Sequence, residues 1–255
     1  MLYPGVRMAA IRHLDNAPIA EAIVDFRVSL PPDFRAETLY DARERLRPDY
    51  PKAEERKSFE ALFEFAGVQP AAAQTRELGF HGLWLKSEDE KNIAQFRIDG
   101  FTFNRLKPYT SWETIMPEAM RLWTVYAEIT RPRTITRLAL RYINRLELPG
   151  PGVELDDYIL TAPKLPGSVP QIVSTFATRT VLGHPERRLM ANVAQVVEVS
   201  MESPARALLF DIDVYRVGEV DVDEQKVREV LEDLRLYKNQ IFFGSLTEQF
   251  VDSLR

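Results

Sequence analysis

Apolar and polar side chains alternate over residues 21–30 (EAIVDFRVSL), with Ala22, Val24, Phe26 and Val28 on one face and Glu21, Asp25 and Arg27 on the other. A two-residue period marks a half-buried strand. Pro31 and Pro32 end it, because proline brings no N–H to a ladder. The pattern over 34–46 predicts a helix, with Leu39 and Leu46 seven apart, Arg43 and Arg45 on wetter sides, and Pro48 and Pro51 closing it. Strands are predicted over 59–65, 79–86 and 92–104, the last two joined as an antiparallel hairpin by the charged run 87–91 (SEDEK). Gly100 marks a bulge or bend in the longest of them.

The period then changes. Ile115, Ala119, Leu122, Trp123, Tyr126 and Ile129 recur at three- and four-residue steps, which predicts a helix over 111–128 with one wide apolar stripe. Thr110 or Ser111 is its N-cap, and Arg131–Pro132 its stop. A strong strand follows over 134–148 (TITRLALRYINRLEL), with Leu138, Leu140 and Tyr142 on one side and a PGPG break behind it. Residues 155–170 read as one helical turn plus loop, and 171–181, 188–200 and 205–217 as strands hinged at 184–186 and 202–204. Val227, Val230, Leu231, Leu234 and Tyr237 form the stripe of a helix over 223–239, capped by Asp221 or Asp223. A last helix over 245–254 is predicted with Ser245 as cap and Glu248 three residues on, a capping-box spacing.

Each half thus reads strand, helical segment, three strands, helix, with the break near 131–134. The fold class is α+β: an extended, mainly antiparallel sheet with long helices packed on one side. The halves 1–131 and 132–255 form either two similar pseudo-repeated layers or one continuous domain, tightly packed, since no Gly- or Ser-rich linker divides them.

Composition narrows the function classes. With 255 residues, 45% hydrophobic, the chain has ample core material, and a formal net charge of −5 argues against a strongly basic nucleic-acid binder. The absence of cysteine excludes disulfides, thiolate zinc and a cysteine nucleophile, and fits a cytoplasmic setting. Residues 1–16 hold Arg7, Arg12 and His13 with no uninterrupted apolar run, so no signal peptide is expected. Apolar runs of about five residues fall short of the roughly 20 that span a bilayer, so no membrane partner is expected. No GxGxxG, P-loop, HExxH or GxSxG motif occurs, and no cofactor is implied.

Residues 131–145 carry Arg131, Arg133, Arg137, Arg141 and Arg145 without one acid. Arg137, Arg141 and Arg145 share a strand face, with Asn144 on the other, and offer a positive surface for phosphate, for nucleic acid or for a carboxylate-bearing partner. Equally, they pair with acids on a neighbouring strand. The natural partners are Asp211 and Asp213, two carboxylates at i and i+2 that alternatively bind Mg²⁺ or Mn²⁺ or divide acid and base roles. A metal would need a third ligand such as Glu21, Asp25 or Asp99, which spacing does not gather. The histidines His13, His81 and His184 are scattered singly. Asn104, Arg105 and Lys107 interrupt an otherwise apolar approach to a helix, where polar groups must find partners. Phe101, Phe103, Tyr109, Trp112, Trp123 and Tyr126 make the richest aromatic zone, read as core, with a ligand-facing cleft between sheet and helix as the alternative.

Four stretches, LDNAPIAEAIVDF (14–26), FNRLKPYTSW (103–112), RLALRYINRLELP (137–149) and FGSLTEQF (243–250), resemble a sporadically distributed bacterial family of unassigned function. The resemblance runs through nearly the whole chain. It transfers no catalytic residue and implies a partner-binding role, some members being placed near defence or mobile-element genes. The expected function is a non-enzymatic binding or assembly module, acting through the arginine-bearing strand face or the 104–107 loop on a protein partner or by self-association. The alternative is a metal-assisted hydrolase or nuclease using Asp211 and Asp213.

Overall fold

A computed structural model describes residues 14–66, 69–148, 154–171, 173–199 and 206–255, and the side chains of these except 59–66, 69–78 and 199. In chain order the elements are β1 (Ile19–Ser29), α1 (Tyr40–Leu46), β2 (Lys52–Ala66), β3 (Gln69–Lys86), β4 (Asn92–Arg97), β5 (Gly100–Leu106) and α2 (Trp112–Thr130). They continue as β6 (Thr134–Leu148), β7 (Ala177–His184), β8 (Leu189–Val199), β9 (Arg206–Arg216), α3 (Glu224–Gly244) and α4 (Glu248–Asp252). The nine strands form one sheet in the order β2-β3-β4-β5-β1-β6-β9-β8-β7, antiparallel at every pairing. The first described strand, β1, lies in the middle, Val24 facing Phe103 on one side and Leu140 on the other. The two sides of the 131–132 division therefore meet along the β1–β6 ladder.

Alternation decides which face is covered. Ala22, Val24 and Phe26 of β1, Phe101 and Phe103 of β5, Leu138, Leu140 and Tyr142 of β6 and Phe210, Ile212 and Val214 of β9 are buried on one face. On that face α2 lies against β5, and α3 against β6 and β9. The Trp123 indole stacks on Phe26 with centroids 4.1 Å apart, and Tyr126 stacks on Trp123 at 5.6 Å. The Tyr126 hydroxyl donates to the Arg97 carbonyl at 3.0 Å, so this buried phenol keeps a partner. Farther along, Phe242 of α3 stacks on Phe210 at 5.9 Å. The other face of the central strands is uncovered and polar.

Six expectations shift. The strand expected over 92–104 is a hairpin, β4 and β5, turning at Ile98 and Asp99. Gly100 opens β5, where a Cβ would collide with the Phe26 carbonyl oxygen, so only glycine lets β5 approach β1 this closely. The helix expected over 34–46 starts late: Ala36–Leu39 is a 3-10 turn, because the Thr38 N–H and hydroxyl both donate to the Arg35 carbonyl, at 3.0 and 2.7 Å. Ser245 does not cap α4. Its N–H donates to the Phe242 carbonyl as α3 ends, and Thr247 caps instead, accepting from the Phe250 N–H at 3.3 Å. Helix α3 itself runs past Asn239, because Ile241 and Phe242 continue its buried stripe. The strand predicted over 171–181 is displaced to β7, and β2 and β3 begin seven and ten residues earlier than the alternation indicated. The PGPG break and the 202–204 hinge lie outside the described residues.

Candidate binding site

Two places bring the sequence-predicted residues together. The first is the open sheet face, where β6 and β9 run side by side with Arg141 opposite Asp213 and Ile143 opposite Asp211. The side chains pair on the diagonal. Arg141 forks onto Asp211 through Nε and Nη2 at 2.8 and 2.6 Å, and a single Arg137 nitrogen, Nη2, donates to both Asp213 oxygens at 2.8 Å. Asn192 of β8 donates to Asp213 at 3.1 Å, and Arg137 also reaches Asp25 at 3.2 Å. Asp25 accepts from Arg97 at 3.1 Å and from the Thr102 hydroxyl at 2.6 Å, and Arg97 continues to Asp99 at 3.0 Å. Asp99 pairs with Arg27 as well. Burial would raise the Asp99 carboxyl, but Arg97 and Arg27 outweigh it and hold the group below the usual range. Arg145 reaches Glu198 at 2.8 Å on the rim.

The result is a self-neutralised mosaic, and the strand-pairing reading of the arginines holds. Each of Arg137, Arg141 and Arg145 has a carboxylate partner within the sheet. Asp211 and Asp213 are likewise held by guanidinium groups. Among the described residues no three His, Asp or Glu side chains gather as metal ligands, and Glu21 accepts instead from Asn104 at 2.6 Å. His81 lies 3.8 Å from Asp99 and His184 sits edge-on to Tyr237, while His13 is outside the described residues. In the 104–107 stretch the Asn104 and Arg105 side chains find partners, and Lys107 is exposed and joined through its backbone. Gln95 donates to Asn104 at 2.8 Å, Arg105 donates to Asn92 at 3.0 Å and to the Pro108 carbonyl, and the Lys107 N–H donates to the Ala20 carbonyl at 2.9 Å.

The second place lies on the helix side, between the start of β1, the loop from β5 into α2, the middle of β6 and the last two turns of α3. It is a cavity of about 90 Å³. Tyr109, Trp112, Tyr142, Phe242 and Phe243 supply aromatic wall, and Asn144, Arg235, Lys238 and Asn239 supply polar groups. Tyr109 meets Tyr142 edge-on at 5.6 Å, their hydroxyls 3.2 Å apart. Asn144, only 2% exposed, donates to the Phe210 carbonyl at 2.9 Å. Arg235 lies over Trp112 and is neutralised by Glu113 at 2.9 Å and Glu232 at 3.5 Å, while the Trp112 indole N–H donates to Glu232 at 2.5 Å.

Lys238 differs from the paired arginines of both places. Its Nζ sits 4.0 Å from the centre of the Tyr142 ring, and no hydrogen bond or ion pair joins it to any described residue. Burial, and then the neighbouring Arg235 charge, pull its ammonium down to about 7. Burial pushes the Tyr109 phenol up, and the Tyr142 phenol well above its ordinary value, so both stay neutral beside it. Lys238 was not a candidate from sequence. Val227, Leu231, Leu234, Tyr237 and Ile241 already complete the buried stripe of α3, and Lys238 sits half-buried at its border, where apolar spacing does not mark it. The aromatic zone divides: Phe101, Phe103, Trp123 and Tyr126 are core, and Tyr109 and Trp112 face the cavity.

All four stretches quoted for the family resemblance reach this cavity. Leu14, Ala17, Pro18 and Ile19 contribute from the first, Tyr109 to Trp112 from the second, Tyr142 and Asn144 from the third, and Phe243 from the fourth. No family model matches the sequence, and no curated protein or solved structure matches it either. No described helix is long and apolar enough to cross a membrane.

Proposed function

We propose that the chain is a non-enzymatic binding module whose ligand sits in the cavity around Lys238, rather than on the arginine-bearing sheet face. The observation that carries this is the difference in charge compensation. The arginines of the open face are matched by acids in place, whereas Lys238 faces an aromatic-walled cavity with no counter-charge among the described residues. A desolvated, unpaired cation is unfavourable alone and becomes favourable when a complementary group arrives. Membership of the sporadically distributed bacterial family belongs to the same proposal, because the stretches that carry the resemblance converge here.

Thermal shift of the full chain against a small-molecule library tests the reading. A hit at a hundredfold excess over its Kd stabilises by about 2.7 kcal/mol. Lys238→Met is expected to abolish that stabilisation and Arg141→Ala to leave it. The opposite pattern would move the site to the sheet face.

Self-association is a second reading, favoured by β7. This strand ends the sheet, and it exposes Val181 (57%) and Leu182 (37%) with Arg179 as its one charge between Ala177 and Gly183. An unguarded edge of that kind is a template for a further strand.

A further inference from the structure

We propose that the cavity takes a small organic acid, its carboxylate on the Lys238 ammonium and its apolar body between Tyr109, Trp112 and Phe243. The inference deepens the binding-module reading and rests on it. Four features of the site point to this class of molecule. The volume of about 90 Å³ admits a few heavy atoms and no polymer. The walls are aromatic, so the body of the guest is apolar. The acid already at the cavity, Glu113, is taken by Arg235, so no described carboxylate serves Lys238. Asn239 adds an amide N–H to the lining, suited to the second carboxylate oxygen, whereas the Asn144 amide N–H groups are taken by the Phe210 and Tyr142 carbonyls.

The groups facing Lys238 are Arg235 from its own helix, Tyr142 from β6, Tyr109 from the loop after β5 and Glu113 from α2. Two are neutral phenols, and Arg235, though paired with Glu113 and Glu232, still repels the Lys238 ammonium. An arriving carboxylate therefore supplies the missing charge, and its binding draws a proton onto a lysine that is half neutral near pH 7. Simple acids stay ionised above pH 6, so the lysine alone sets the pH dependence.

The test is calorimetric titration of the full chain with butyrate and benzoate, and with butyramide and benzamide as uncharged counterparts, between pH 6.5 and 8.5. The acids are expected to bind at least about tenfold tighter than their amides at pH 6.5. Their affinity is expected to fall about tenfold between pH 7 and 8.5. Lys238→Arg, which keeps the charge, is expected to retain acid binding without that fall. Lys238→Met, checked for folding by circular dichroism, is expected to lose the preference for acid. Equal binding of acid and amide, or an affinity flat in pH, would overturn this inference and leave the cavity as a ligand site. Failure of all four probes in both the native chain and Lys238→Arg would overturn the cavity reading with it.

Discussion

Arg137 and Arg145 carry the same charge on the same strand face, yet they are expected to matter unequally. Arg137 bridges Asp25 and Asp213, whose side chains are 16% and 20% exposed, so Arg137→Ala leaves Asp213 with Asn192 and no cation, while Asp25 keeps Arg97 and Thr102. A loss of about 2–3 kcal/mol in urea denaturation is expected. Arg145 meets Glu198 where both side chains are about half exposed, and Arg145→Ala is expected to change stability by less than about 0.5 kcal/mol. Lys238 gives a prediction of the opposite sign. Its ammonium is pulled down to about 7 in the folded chain, against roughly 10.4 unfolded, so the unfolded chain holds the extra proton between those values. Stability should therefore rise with pH from 7 to 9, as the folded-state penalty is relieved. Lys238→Met should abolish its part of that slope and gain about 1–2 kcal/mol at pH 7, read from thermal melts across the range.

At the level of elements, the two ends of the chain's last helical turn separate local spacing from three-dimensional context. Thr247 caps α4 and also donates to the Asp157 carbonyl at 2.7 Å, tying the C-terminus to the loop after β6. Thr247→Ala is expected to lower stability by about 1–2 kcal/mol and Ser245→Ala by a few tenths, in the same denaturation assay. Sequence favoured Ser245 because the capping-box spacing is local, and it is blind to the bridge between Leu246 and Ile159 that delays the helix. The central strands were legible for a plain reason: β1, β6 and β9 are covered on one side only, so polarity alternates along them. β2 was half missed because residues 52–57 (KAEERK) lie on the sheet's edge, where burial imposes little pattern. The Arg–Asp pairing was legible too, since both partners sit on regular strands. The Lys238 cavity was not, because four separate segments compose it and only the fold brings them together.

For the molecule as a whole, the two ends of the sheet are unequal, and that bears on assembly. β2 opens with charged residues, whereas β7 presents Val181 and Leu182 with little to deter pairing. Sedimentation velocity is expected to show a concentration-dependent dimer, reduced at least about fivefold in association by Val181→Lys. An unchanged single species in both proteins would assign β7 no such role. The central position of β1 reaches further, into how the chain acquires its shape. Ile23 waits for Arg141, 118 residues downstream, before its second neighbour exists. On a ribosome, β1 is thus made well before it is enclosed. Sheets closed by such distant pairings fold in milliseconds to seconds rather than microseconds, and throughout that interval the apolar side of β1 is open to whatever chaperone or nascent neighbour meets it first.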